Sequence, residues 1–318
     1  MPVGSPAIRI RVPGSTANLG PGFDSVGLAL GLWDEYEVTL DQGDRLSVSV
    51  SGEGADDVPR DATHLVVRAM AHAFARLETH MPAGLGLVAR NGIPHSRGLG
   101  SSASAIVAGV VAAQVLSDVD AWSDEDVGAA LEVDLDVATD LSTELEGHPD
   151  NASASVRGGM TVSWTRDPGD PSPSATGTAS VATHPDVTAV VLVPREQLAT
   201  HTARAVLPPH VDHVDAAHNS GRAALLVEAM SRRPDLLLPA TRDWLHQGFR
   251  RAAFAPSMDL VDGLRGEGHA ALISGAGPSV VVLTTRERAG SVLVPPNRSG
   301  WVRLEPGIPV SGVEVVRA

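Results

Sequence analysis

Along the first third of the chain, apolar and polar residues alternate in short runs separated by turn formers. Ile8 to Val12 sets apolar residues between arginines at every second position, and Tyr36 to Leu40 and Leu46 to Val50 repeat that period, so each predicts a half-buried strand. His64 to Leu77 changes to helical spacing, with Asp61 and Thr63 as candidate caps. Leu85 to Arg90 reads as a strand, and the loop Asn91 to Arg97 leads into a glycine-rich stretch followed by a small-sided apolar run to Leu116. Ser123 to Glu146 carries acidic residues on a helical pattern broken by at least one turn, and Thr161 to Trp164 is strand-like. Arg166 to Ser180 is rich in Pro, Ser, Gly and Asp, which suggests a boundary or a long exposed loop.

Beyond it, Val187 to Val193 is a nearly continuous apolar strand. Asp215 to Met230, Leu236 to Arg251 and Met258 to Arg265 have helical spacing. Ala270 to Ile273 and Ser279 to Thr284 are strands joined by Ser274-Gly275-Ala276-Gly277-Pro278, and Val310 to Val316 is strand-like. There are no repeats. Strands interleaved with helices but without strict βαβ alternation predict an α+β fold.

Composition narrows the function. At 318 residues the chain holds two domains or one large one, and its 43% apolar content supports a sizeable core. Only 3% is aromatic, so that core is built from Val, Leu, Ala and Ile. A net charge of −14 argues against binding nucleic acid or an anionic membrane through a general basic surface. The absence of cysteine removes disulfides, zinc-thiolate sites and thiol nucleophiles. No secretory signal or bilayer-length apolar run is visible, so a cytoplasmic location is expected. All 24 basic residues are arginine. A Walker A loop, a kinase-type ATP lysine and a pyridoxal Schiff base each need a lysine that this chain does not have.

Gly98-Leu99-Gly100-Ser101-Ser102-Ala103 nevertheless has the makings of a phosphate cradle. Its glycines let backbone N–H groups turn inward, its serines add hydroxyls, and a following helix would present a positive dipole end. The run also satisfies G-x-G-x-x-A. A dinucleotide fingerprint, however, wants a strand feeding directly into the first glycine and an acidic residue ending the next strand, and neither is present. Pro13 to Asp24 is dense in turn formers and would fix Asn18 and Asp24 either as plain Asx turns or as hydrogen-bonding groups for a polar ligand. Glu146-Gly147-His148-Pro149-Asp150-Asn151 offers a carboxylate suited to Mg²⁺, whereas Asp134, Asp136, Asp140 and Glu144 read as a solvated helix face. His210, His213 and His218, with Asp212 and Asp215, match no metal spacing.

The motifs Ser15 to Asp24, Pro94-x-x-x-Gly98-Leu99-Gly100-Ser101-Ser102-Ala103, Glu146 to Asn151 and Ser274 to Pro278, in that order, resemble the GHMP small-molecule kinases. Thr200 to Pro208, similar to a T-x-x-A-R-x-x-L-P segment, and Leu245-His246-Gln247 with Arg250 bring the likeness closest to the homoserine kinase family. The resemblance implies a GHMP kinase fold. An N-terminal S5 domain 2-like, ATP-binding domain would span about residues 1–165, and a C-terminal ferredoxin-like domain on the substrate side 166–318.

It also implies ATP and Mg²⁺ as cofactors, L-homoserine as the small-molecule substrate, and a homodimer, the assembly common in the family. Pro94, Arg97, Gly98, Leu99, Gly100, Ser101, Ser102, Ala103 and Ser104 would wrap the ATP phosphates. Ser102 and Glu146 would hold the metal, with Glu144 as the alternative carboxylate. Asn18, Asp24 and Asn151 would hold the amino and hydroxyl ends of the substrate. Arg204 and Arg250 would clamp its carboxylate, with Arg251 as the neighbouring competitor, and Gly275 to Pro278 would shape the floor between the two halves of the site. No side-chain base is assigned, since Asn151 cannot act as one. Gly14 stands where the family usually has alanine, a departure expected to leave the site untouched.

Overall fold

The computed structural model describes residues 7–41, 43–117, 128–170, 172, 174–196, 205–295 and 300–318. β1 (Ala7–Ala17) and β2 (Val26–Leu40) form a long antiparallel pair whose register shifts between Pro13 and Gly14. Beyond the shift, the first part of β2 turns toward β5 (Met160–Thr165), while its second part pairs with β4 (Leu85–Asn91). β3 (Leu46–Gly52) lies parallel to β4, and α1 (Leu65–Arg76) makes the crossover between them. α2 (Ser101–Leu116) packs on α1, close enough that a Cβ on Gly109 would sit 2.4 Å from the Val66 carbonyl oxygen. α3 (Leu135–Glu146) and α4 (Pro149–Arg157) follow, and α4 packs on β1, β2 and β5.

β6 (Thr176–Val181) pairs with β5 in this same sheet, so part of the segment read as a boundary or exposed loop is strand. Its start is held by the Asp140 carboxylate, which accepts from the Ala175 and Thr176 amides at 2.9 and 2.8 Å. Period-two patterning is weak there because most of β6 lies near the surface.

The second sheet runs β10-β7-β9-β8, with β7 (Val187–Val193), β8 (Ala270–Ile273), β9 (Val280–Thr285) and β10 (Val302–Leu304). Alternation sorts its residues cleanly between two layers. Ala189, Val191, Leu272, Val281 and Leu283 face α5 (His213–Ser231) together with Leu28, Leu30 and Leu99 from the first half of the chain. Val190, Leu192, Ile273, Val280 and Val282 face α6 (Ala255–Gly266). β11 (Glu314–Arg317) returns to the first sheet and pairs with β1, so the strand-like tail is confirmed over its last few residues. None of the helices among the described residues is long and apolar enough to cross a membrane.

Several local expectations change. The predicted helix over 236–251 is instead a pair of short turns, Pro234–Leu236 and Leu237–Ala240, followed by irregular chain. Asp243 explains the break: its carboxylate accepts from the amides of Leu245, His246 and Gln247, giving the backbone a local alternative to helix. α1 is capped by His64, whose Nδ1 accepts from Val66, while Asp61 bonds Thr63. The acidic residues before Glu146 are not a merely solvated face: Asp134 caps α3, Asp136 pairs with Arg157, and Glu144 pairs with His72 and Arg76 of α1.

Asp34 is the buried polar anchor of the first sheet. Its Oδ1 accepts from the amides of Gly92 and Ile93 at 2.8 and 3.0 Å, and its Oδ2 accepts from the Tyr36 hydroxyl at 3.1 Å. It thereby fixes the exit of β4, from which the glycine loop departs. Burial raises its pKa against the opposing pull of these donors. An acid whose pKa is raised on folding binds more protons folded than unfolded, so stability falls as pH rises from the ordinary carboxylate value of 3.8 through the folded value. Asp34→Asn, which keeps an acceptor for both amides, is expected to remove that pH dependence with little loss in Tm. Asp34→Ala should lose about 1–3 kcal/mol for each orphaned amide. Thermal melts of both variants between pH 4 and 8 check this.

Candidate active site

β1 runs directly into a turn that ordinary side chains occupy only under strain. Asn18, Leu19 and Asp24 have φ of 71°, 44° and 55°, a region that costs non-glycine residues of order 1–3 kcal/mol each. Hydrogen bonds hold them there: Asn18 N donates to Val26 O at 2.8 Å, Gly22 N to Asn18 O at 2.8 Å, and Asp24 N to Asn18 Oδ1 at 3.0 Å. Asn18 Nδ2 donates to Gly275 O at 3.2 Å, which ties this turn to the one between β8 and β9.

The glycine loop has Gly98 at φ 73° and Gly100 at φ 75°. Gly100 is the N-cap of α2 and has no side chain to satisfy the first-turn amides, so the helix end is open to an anion. The loop is gripped from both sides. Ser15 N donates to Leu99 O at 3.0 Å, and the Ser274 hydroxyl donates to Gly98 O at 2.5 Å. A Cβ on Gly98 would stand 2.3 Å from the Ser274 carbonyl oxygen. Gly14 belongs to this grip as well, contrary to expectation, because a Cβ there would come within 2.9 Å of Leu99 O.

One cleft of about 390 Å³ brings the motifs together. Its walls include Asn18, Asp24, Pro94, Arg97 to Ser102, Glu146, Asn151, Arg250, Gly275 and Ala276. Ala103 and Ser104 do not reach it. Both are fully buried in the first turn of α2, and the Ser104 amide bonds Gly100 O within the helix. The Arg97 guanidinium donates to the carbonyls of Pro194, Arg195 and His95, so it anchors the loop to the end of β7. Arg204 lies outside the described residues. Arg250 is buried at the cleft wall, whereas Arg251 is turned to Asp259 and Asp262 on α6 and does not line the cleft.

Ser102 Oγ donates to Glu146 Oε1 at 2.9 Å across the start of α2 and the end of α3. Burial raises the Glu146 pKa; Ser102 and His148 oppose the rise, and Asp150 adds to it. A carboxylate and a hydroxyl facing one cleft are hard oxygen donors of the kind Mg²⁺ takes alongside phosphate oxygens. A cation there would also offset the cost of keeping Glu146 ionised. Glu144, engaged by His72 and Arg76, does not line the cleft.

Asn151 is oriented by the Ser15 hydroxyl, which donates to its Oδ1 at 3.0 Å. No sequence motif points to Tyr36, Val58, Pro59, His64, Arg68 and His95, which also line the cleft. Tyr36 comes from β2, His64 and Arg68 from the start of α1, and the others from loops, so they share no spacing. Asp150, which is 1% exposed and accepts from the Asn151 amide at 2.7 Å, was also passed over.

Comparison with known proteins agrees with this assembly. The GHMP kinases N terminal domain matches residues 64–159. The homoserine kinase of Streptomyces coelicolor is 47% identical over 287 residues, 90% of this chain and 87% of that protein. That of Clavibacter michiganensis is 43% identical over 312 residues, covering 97% and 93%. In fold, the homoserine kinase structure from Cytophaga hutchinsonii superposes with a TM-score of 0.78 at 22% identity, covering 98% of this chain and 97% of that one. The mevalonate diphosphate decarboxylase of Staphylococcus aureus superposes with a TM-score of 0.63 at 16% identity, covering 98% of each. With identity of this depth over nearly its whole length, the chain belongs to the homoserine kinase family of the GHMP kinases.

Proposed function

We propose that this protein transfers the γ-phosphoryl group of ATP to the hydroxyl of L-homoserine, giving O-phospho-L-homoserine for threonine biosynthesis. The observation that carries the reading is the single cleft in which an uncapped helix start, a Ser102–Glu146 pair and a buried arginine face one another. The homoserine kinase relatives supply the substrate. The test is ADP release with MgATP against L-homoserine, L-threonine, L-serine and mevalonate in parallel, with the product identified by mass. Preferential turnover of homoserine supports the assignment, and turnover of another alcohol alone would overturn the substrate.

In this reading the amides of Gly98 to Ser102 and the α2 dipole hold the phosphates, doing by backbone what a lysine does elsewhere. Ser102 and Glu146 would hold Mg²⁺, which supplies charge neutralisation at the phosphate oxygens. Arg250 receives the substrate carboxylate, for which its planar fork is well shaped, and Arg204 is its proposed partner. Asp24 takes the ammonium group, while Asn18 and Asn151 orient the hydroxyl for in-line attack. Phosphoryl transfer through a loose transition state depends on positioning and charge stabilisation, so the hydroxyl attacks directly and its proton leaves late. His64, His95, Val58 and Pro59 would face the nucleoside end. The N-terminal, ATP-binding domain is assigned to about residues 1–165 and the C-terminal domain to the remainder, with β6 and β11 returning to the first sheet, and the active assembly is proposed to be a homodimer.

Glu146 must be ionised to hold the metal, and its pKa is raised. Activity should therefore fall on acidification from above the usual carboxylate value of 4.5, and added Mg²⁺ should move that fall to lower pH. Glu146→Gln should raise the Mg²⁺ concentration needed for half-maximal activity by upwards of about tenfold and abolish the Mg²⁺-sensitive limb. Initial rates against pH at several Mg²⁺ concentrations decide this.

A binding role for Asp24 predicts that Asp24→Asn raises the homoserine KM by roughly 10- to 150-fold, as expected for a lost charged hydrogen bond, with the smaller change in kcat. The reverse split in steady-state kinetics would make Asp24 a base.

A further inference from the structure

His246 is fully buried, and both its ring nitrogens are engaged by groups that leave no choice of role. Nε2 lies 2.8 Å from Gly20 O, which can only accept, and Nδ1 lies 3.1 Å from Arg250 Nη1, which can only donate. The proton therefore sits on Nε2, and Nδ1 is the acceptor for Arg250. The ring stacks on Phe23 at 5.2 Å between centroids, and the Arg250 guanidinium lies 5.7 Å over that same Phe23. Arg250 Nη1 also reaches Gly275 O at 3.4 Å, the carbonyl that Asn18 contacts.

We infer that His246 is a positioning residue for the substrate. As the neutral Nε2–H tautomer, it locks Arg250 in its carboxylate-receiving pose and couples that pose to the turn carrying Asn18 and Asp24. This rests on the carboxylate role proposed for Arg250. A ring protonated on both nitrogens would aim an N–H at the Arg250 N–H and release it. The surroundings keep the ring neutral: burial and Arg250 lower its proton affinity, against Asp243, the Gly20 carbonyl and Asp24, which raise it. Asp243 Oδ1 stands 3.6 Å from Nε2, on the side away from the Arg250 contact.

The test uses three variants, with KM for homoserine and for ATP, kcat and Tm measured on each. His246→Phe keeps the ring shape but neither hydrogen bond. It should raise the homoserine KM by about tenfold, leaving the ATP KM within about twofold. His246→Asn places an amide oxygen where Nδ1 stands and should restore most of that loss, whereas His246→Gln, which reaches toward Gly20, should not. In the unaltered protein at saturating MgATP, the homoserine KM should climb as pH falls below the ordinary imidazole value of 6.5, and His246→Asn should show no such climb.

Equal losses in the Phe and Asn variants, or an equal rise in both KM values, would reduce His246 to packing and overturn the inference. Should the Phe variant fail to fold, ¹⁵N NMR of the intact protein still decides: a neutral ring protonated on Nδ1 sinks the inference. Arg250→Ala separates the two layers of the argument. If it leaves the homoserine KM unchanged, the Arg250 reading fails and the inference with it. If it raises that KM while His246→Phe does not, only the inference fails.

Discussion

The active cleft exists because two parts of the chain approach more closely than any side chain would allow. Gly98 lies against the turn between β8 and β9, with the Ser274 hydroxyl bonded to its carbonyl, and the next turn of chain is bonded to β1 through Ser15 and Leu99. Arg97 adds a third tether, to the end of β7. Each contact ends on a backbone carbonyl, reached from a backbone amide, a serine hydroxyl or the Arg97 guanidinium. At Gly98 an extra methyl group would displace the Ser274 carbonyl oxygen. The phosphate-side loop is thus shaped by the second sheet as much as by the helix it precedes, and its amides need no reorganisation when an anion arrives.

That rigidity answers the problem set by the composition. A chain without lysine and with a net charge of −14 has few cations to bring to a polyphosphate. The arginine inside the glycine loop is occupied in holding it, and the buried Arg250 is engaged by His246 and Gly275. The attraction for anions near α2 therefore falls to aligned peptide dipoles, which keep their orientation only if the loop cannot relax. Strain in the Asn18–Asp24 turn has the same logic, since left-handed conformations at non-glycine residues persist only when surrounding bonds over-determine them.

Much of this was legible in the sequence where a residue type answers a local demand. Glycines at 98 and 100, a nearly continuous apolar strand at 187–193 and the paired loops around Asn18 and Gly275 each follow from elementary rules of backbone and burial. What escaped was decided by partners distant in sequence. Asp243 dissolved a helix that periodicity favoured, and Asp140 pinned a strand that composition had assigned to loop. Glu144 and Glu146 are indistinguishable by type and differ only in which face of α3 they occupy. Ser104 looked like a loop serine and proved to be core, beside Tyr36. Arg97 looked like a phosphate ligand, and its guanidinium is taken up by carbonyls. Spacing identifies what a side chain is able to do; the fold decides what it faces.

The pairing of β11 with β1 bears on how the protein is made. Arg11 and Glu314, bonded at 3.0 Å across these strands, are 303 positions apart. A nascent chain therefore carries β1 with one edge bare throughout nearly all of its synthesis, a template on which a neighbouring nascent chain can also pair. The charged residues that alternate along β1, Arg9 and Arg11, guard that edge against self-pairing during the wait, since like charges from two such strands repel. Closure of the sheet along β1 comes only after residues 314–317 leave the ribosome, so the fold carries its own check that translation has run that far.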